Sequence, residues 1–157
     1  MRLPFRSSSF DAAVAMDMLE HLPDDCAALC EFVRILRPGG LLVATVPAHA
    51  KLWSEHDIAL MHFRRYQREE FAGKIMQAGL QIERISYFMT MLYPFAAVQR
   101  RLNARRQPGD PPKAAMPIFP APVNSALAAL LKTEASFASN NSLPWGTTIF
   151  CVAKKPE

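Results

Sequence analysis

Short apolar runs alternate with amphipathic stretches along this chain, and the change of period predicts the elements. Phe10 to Met16 is an apolar run of strand length. From Asp24 the period becomes helical: Cys26, Leu29, Cys30, Val33 and Leu36 recur at the spacing of one apolar helix face. Asp24 and Asp25 follow Pro23 and suit the positive end of that helix, where a carboxylate accepts hydrogen bonds from free backbone N–H groups. Arg34 and Arg37 lie near its negative end. Pro38-Gly39-Gly40 is expected to stop it, because proline cannot continue a helix and glycine tolerates positive φ. Leu41 to Val46 then reads as a second strand. Strand, helix and strand in so short a span predict a right-handed βαβ unit with two parallel neighbours. Strands apolar on both faces predict helices on both sides of the sheet.

The same reading extends downstream. Residues 48–67 form a loop or short helix dense in polar groups: His49, His56, Asp57, His62, Arg64, Arg65 and Tyr66. Phe71, Ile75 and Ala78 predict a helix over 68–79, with Glu69 and Glu70 in its first turn and Gly79 as its stop. Leu80 to Phe88 predicts a third strand. Residues 89–142 read as an insert that caps the site: an apolar stretch, a cluster of Arg100, Arg101, Arg105 and Arg106, a proline-rich loop, and a helix from Ser125 to about Ser136 capped by Asn124. Thr147 to Ala153 predicts the last strand. Residues 1–157 are therefore expected to make one α/β domain.

Composition narrows the function. Half of the 157 residues are apolar, which argues for a globular chain, and the net charge is +4. Met1-Arg2 is followed by Pro and Ser rather than an apolar leader, and no apolar run reaches membrane-spanning length. The three cysteines lack metal-knuckle spacing; Cys26 and Cys30 are expected to be packed thiols, which suits a cytoplasmic location. The arginine cluster lacks interleaved aromatics, so no nucleic-acid partner is expected. The apolar stretch before that cluster suits either peripheral contact with an anionic membrane or a helical pair packed on the sheet. In open parallel sheets ligands sit beyond the carboxyl ends of the strands. Asp17, Glu20 and His21 lie at one such end, and Pro47, Ala48 and His49 at another.

FDAAVAMDMLEHLPD followed by RILRPGGLLVATVP resembles the second half of a class I S-adenosylmethionine-dependent methyltransferase, of the type 11-like group. LPFRSSSFD is similar to the segment before that family's fourth strand, and LPWGTTIFCVAKK to its final strand. The resemblance implies part of a Rossmann-like sheet, strands 4-5-7-6 of the order 3-2-1-4-5-7-6. It implies S-adenosyl-L-methionine as cofactor, with Leu3, Met16, Asp17, Met18 and His21 around it. A small-molecule or lipid-linked acceptor would meet His49, Arg64, Arg65 and Tyr66, although the last three could equally fix the wall of the loops. His56 or His62 would serve as base, imidazole being suited to that near neutral pH. Asp17-x-x-Glu20-His21 is similar to a Glu-x-x-Glu-His that holds a divalent metal in ubiquinone-biosynthesis O-methyltransferases, which implies Asp17, Glu20 and His21 as ligands. The family's Gly-rich turn has no counterpart here. Met1 is accordingly read as an internal methionine of a longer product or the start of a shortened one. A shortened chain could instead be a non-catalytic interaction protein. In either case the first strand would be an exposed edge inviting self-association.

Overall fold

The computed structural model describes residues 2–94, 97–98, 120–138 and 140–157. Its elements run β1 (Phe10–Met16), α1 (Asp25–Ile35), β2 (Leu36–Pro47), α2 (Glu55–Ala59), α3 (Arg68–Gln77), β3 (Gln81–Phe88), α4 (Ala121–Ala138) and β4 (Thr148–Lys154). The strands form one sheet in the order β1-β2-β4-β3. β1 and β2 are parallel, with Val14 opposite Val43. β4 lies antiparallel between β2 and β3, with Cys151 facing Ala44 on one side and Ile85 on the other. This is the order 4-5-7-6 that the resemblance implies.

Alternation along the central strands places the core. Leu42, Ala44 and Val46 of β2 and Ile149, Cys151 and Ala153 of β4 are buried. They share a cluster with Leu29, Phe32 and Ile35 of α1 and Phe71 and Ile75 of α3. The other face is covered less completely: Val14 is 63% exposed and Met16 50%.

Two local readings also change. The α1 face that meets the sheet is Ala28, Leu29, Phe32 and Ile35, while Cys26 and Cys30 are exposed. Phe32 and Ile35 carry more apolar surface than the cysteines, so burying them releases more hydration, and that sets the rotation of the helix. Pro38-Gly39-Gly40 does not terminate α1, which already ends at Ile35; the tripeptide lies inside β2. The register there jumps from Phe10 opposite Leu36 to Ala12 opposite Leu41. Gly39 has φ 77°, and a Cβ on Gly40 would lie 2.9 Å from the Arg37 carbonyl oxygen. The glycines therefore make a bulge that lets the strand start early.

α4 begins at Ala121 rather than Ser125, and Asn124 sits inside it. Pro122 is tolerated in the first turn, where a missing N–H has no helical acceptor to lose. Glu134 of α4 is buried and accepts hydrogen bonds from the Thr90 and Met91 backbone N–H groups at 2.8 and 3.4 Å, which ties α4 to the end of β3. The arginine cluster and the proline-rich loop lie outside the described residues. Among the described residues, no helix is long and apolar enough to cross a membrane.

Candidate active site

The carboxyl ends of β1, β2 and β3 share a backbone feature. Just beyond each strand stands a non-glycine residue with positive φ: Asp17 at 45°, His49 at 60° and Met89 at 58°. A side chain in that region costs of order 1 kcal/mol, and such residues cluster at functional sites. The loops that leave this edge bring the polar residues together.

Asp17 is fixed first. Its backbone N–H donates to Thr45 O and Oγ1 at 3.1 and 3.0 Å, and Thr45 Oγ1 donates to Asp17 Oδ1 at 3.2 Å. Leu19, Glu20 and His21 then form one 3-10 turn in which Leu19 and Glu20 are fully buried and His21 is exposed. The Glu20 carbonyl accepts from Phe63 N at 2.7 Å, which ties the turn to the loop after α2. Neither carboxyl oxygen of Glu20 has a protein partner. Burial pushes Glu20 up to about 7, with Asp17 adding repulsion and Arg65 opposing it.

Asp57 organises the loop. Ser54 caps α2 through a reciprocal box with Asp57, whose Oδ2 accepts from Ser54 N at 2.9 Å and Oγ at 3.1 Å. Oδ1 meets Arg65 Nε at 2.6 Å and His62 Nδ1 at 3.1 Å. Burial alone would raise Asp57, but the bonded Arg65 guanidinium reverses this and holds the carboxyl below its usual range. The His62 ring packs edge-on against His21, centroids 4.6 Å apart. Ligand atoms of Glu20, His21 and His62 all lie within 4.8 Å of one another.

The remaining predicted residues have contacts of their own. Arg65 also donates to Ala48 O at 3.0 Å, and Arg64 donates to Pro23 O at 2.6 Å and pairs with Asp25 at 3.1 Å. The Tyr66 hydroxyl donates to Asp25 Oδ2 at 2.8 Å. All three side chains brace the wall with their polar ends. His49 stacks on Tyr87 at 5.0 Å and meets Tyr93 edge-on at 5.4 Å; burial holds its imidazole below the usual range. His56 lies on α2 beside Asp57. Met16 and Met18 flank Asp17 at the end of β1. Leu3 is not brought here: its N–H donates to Glu31 Oε2 at 2.7 Å, near the far end of α1.

The metal triad Asp17, Glu20 and His21 does not converge. Asp17 is bound to Thr45, and His62 stands with Glu20 and His21 in its place. Sequence spacing could not find this, because His62 lies far along the chain from Glu20. Asp57 was visible only as one of many polar residues; Ser54 three positions before it is the capping signal that marks it.

Comparison with known proteins bears on the fold and the family likeness. A methyltransferase domain family matches residues 1–44. The ubiquinone biosynthesis O-methyltransferase of Xanthomonas axonopodis pv. citri is 32% identical over 115 residues, covering 65% of this chain and 47% of the relative. The 27-O-demethylrifamycin SV methyltransferase of Amycolatopsis mediterranei is 30% identical over 91 residues, covering 53% and 34%. The chain thus spans about half the length, or less, of the curated relatives it matches. Among solved structures, phosphoethanolamine N-methyltransferase 2 of Haemonchus contortus, in complex with S-adenosyl-L-methionine, aligns with TM-score 0.55 at 19% identity, covering 98% of this chain and 35% of that one. The cyclase SpnF aligns with TM-score 0.54 at 22% identity, covering 98% and 53%. By sequence likeness to curated methyltransferases and by sheet order, the chain is similar to the class I S-adenosylmethionine-dependent methyltransferases and shares part of their fold.

Proposed function

We propose that this chain supplies the acceptor side of a methyltransferase that moves a methyl group from S-adenosyl-L-methionine to an oxygen of a small or lipid-linked acceptor. The observation that carries the reading is the convergence of Glu20, His21 and the Asp57-held His62 at the carboxyl edge of the sheet. Curated relatives named as O-methyltransferases support oxygen as the atom modified. Cofactor contacts on this side fall to Met16, Asp17, Met18 and His21 around the left-handed turn after β1. S-adenosyl-L-methionine supplies a methyl group already activated by positive sulfur.

The reaction is an in-line displacement: the acceptor oxygen forms the new bond to carbon, the carbon–sulfur bond breaks, and its electron pair stays on sulfur. Proximity and alignment supply most of the rate. The acceptor hydroxyl must also lose its proton, and the Glu20–His21–His62 cluster is the polar group placed to promote that loss. Asp57 holds the His62 ring through Nδ1, which makes Nε2 the lone-pair nitrogen. The wall behind it is fixed by Arg64, Arg65 and Tyr66.

Because the fold also serves a cyclase, the test must read methyl transfer itself. The protein, and any in-frame longer product of the same gene, is incubated with methyl-labelled S-adenosyl-L-methionine and a panel of phenolic, enolic and prenylated hydroxyl acceptors. Label is expected in one acceptor class, with cofactor binding visible by calorimetry. Absence of cofactor binding by every form of the protein would remove the enzyme reading and favour a non-catalytic interaction protein.

A further inference from the structure

His49 is held where its backbone resists. Its φ of 60° lies in the region that disfavours a side chain. Two backbone bonds fix it there: its N–H donates to Tyr66 O at 2.9 Å, and Leu52 N donates to its carbonyl at 2.8 Å. The imidazole lies flat on Tyr87 of β3, centroids 5.0 Å apart and planes 11° from parallel. The Arg68 guanidinium carbon stands 5.7 Å from the centre of the same tyrosine ring. Nε2 of His49 is buried and has no hydrogen-bond partner. Gln67 and the Gly146 backbone lie near enough to favour the charged ring, but burial outweighs them and keeps the imidazole neutral at neutral pH. A buried nitrogen without a partner is costly, and a ligand that supplies the missing bond removes the cost.

The group that stands against the imidazole is itself a phenol ring. Tyr93, half-buried just past the end of β3, meets His49 edge-on with centroids 5.4 Å apart and planes at 70°. It fills the space beside the ring without completing Nε2. The loop before β4 reaches the same place: Trp145 O accepts from Thr90 Oγ1 at 2.5 Å, and Thr147 O accepts from Ala48 N at 2.8 Å. The ends of β2 and β3 and the start of β4 therefore meet around one unbonded nitrogen and several aromatic planes.

We propose that His49 is a specificity-determining residue whose Nε2 binds the hydroxyl of a phenolic ring, and that Tyr93 is the cover such a ring displaces. Aromatic planes favour a flat, apolar partner. A neutral imidazole adds one hydrogen bond and no charge, which suits a hydroxyl better than a carboxylate or phosphate. This nitrogen is separate from the one assigned to proton removal. Arg65 stands between them, with Nε on Asp57, which holds His62, and Nη1 on the carbonyl of Ala48, next to His49. Binding of the ring stands on these side chains alone; its meaning as the acceptor class rests on the methyltransferase reading.

The test is calorimetric titration of the full chain, without cofactor, with three probes: para-ethylphenol, ethylbenzene and para-ethylcyclohexanol. The phenol is expected to bind one-to-one and about tenfold more tightly than the ring without a hydroxyl or the hydroxyl without an aromatic ring. His49→Phe, which keeps a flat ring on Tyr87, is expected to bring the phenol down to the affinity of ethylbenzene. Tyr93→Ala is expected to tighten phenol binding several-fold, an effect that a purely structural tyrosine would not give. Phenol binding unchanged in His49→Phe, or weakened in Tyr93→Ala, overturns the assignment. Tyr93 is half-buried, so its variant keeps the test open even where His49→Phe disturbs folding. Methyl transfer to a non-phenolic acceptor with no phenol bound would sink this inference and leave the reaction standing; phenol binding without cofactor binding would do the reverse.

Discussion

At the scale of single residues, the buried carboxylates behave in opposite ways according to what stands beside them. Asp57 has Arg65 and His62 and is held ionised; Glu20 has no partner and is pushed up to about 7. A folded-state value above the ordinary one favours the protonated form. Glu20 therefore contributes most below its ordinary value near 4.5, and that contribution is lost as pH rises through about 7. Glu20→Gln in chelator-treated protein is accordingly expected to raise stability at pH 8 by about 1–3 kcal/mol, since each tenfold change in the protonation equilibrium is worth ~1.4 kcal/mol, and to change little at pH 5. Urea unfolding at the two pH values measures the difference; an equal change at both would show that the neutral side chain acts through packing instead. Of this pair, the sequence marked Glu20 as a candidate by its place at a strand end. It could not show which neighbour would reach it, because burial and long-range pairing are set by tertiary packing.

At the scale of elements, one carboxylate joins three segments. Asp25 in the first turn of α1 accepts from Lys74 of α3 at 2.7 and 2.9 Å and from the Tyr66 hydroxyl at 2.8 Å, and pairs with Arg64. The ring of Tyr66 is itself fully buried and packs edge-on against Phe71. Tyr66→Phe keeps the ring but removes one donor to a charged acceptor. A loss of about 1–2 kcal/mol is expected in thermal or urea unfolding, with the fold retained. Negative charge at a helix start was legible from Pro23-Asp24-Asp25, and Asp24 is indeed the cap, accepting from Ala27 N at 2.9 Å. The role of Asp25 was not legible, because Tyr66 and Lys74 lie 41 and 49 residues away. Period alone also misjudged the face of α1, since cysteine and isoleucine count alike as apolar while differing in the area they remove from water.

At the scale of the molecule, the parallel pairing of β1 and β2 was legible in the apolar runs, while the order of the other strands came from the family resemblance. β1 and β2 both lie close to where the apolar runs put them, and they are parallel neighbours as a βαβ unit requires. The bulge at Pro38-Gly39-Gly40 was not legible, because the same tripeptide ends helices and bends strands. Among the described residues, β1 ends the sheet with exposed Val14 and Met16 beside one unpaired edge. Such an edge recruits another strand, and a lysine on it opposes that. Val14→Lys is expected to shift the chain toward monomer in sedimentation velocity at concentrations where the parent self-associates; an unchanged distribution would show that this edge does not drive association.

The position of β4 has a bearing on how the chain is made. The last of the four strands to leave the ribosome is an inner one, seated between β2 and β3. Until residues 148–154 emerge, β3 has no hydrogen-bonded neighbour in the sheet, and β2 is paired on one side only. Nascent polypeptide must therefore wait, with two of its three strand pairings unformed, for a segment synthesised after both strands it joins. Anything that delays or removes those few residues would split the sheet down its middle rather than fray its margin.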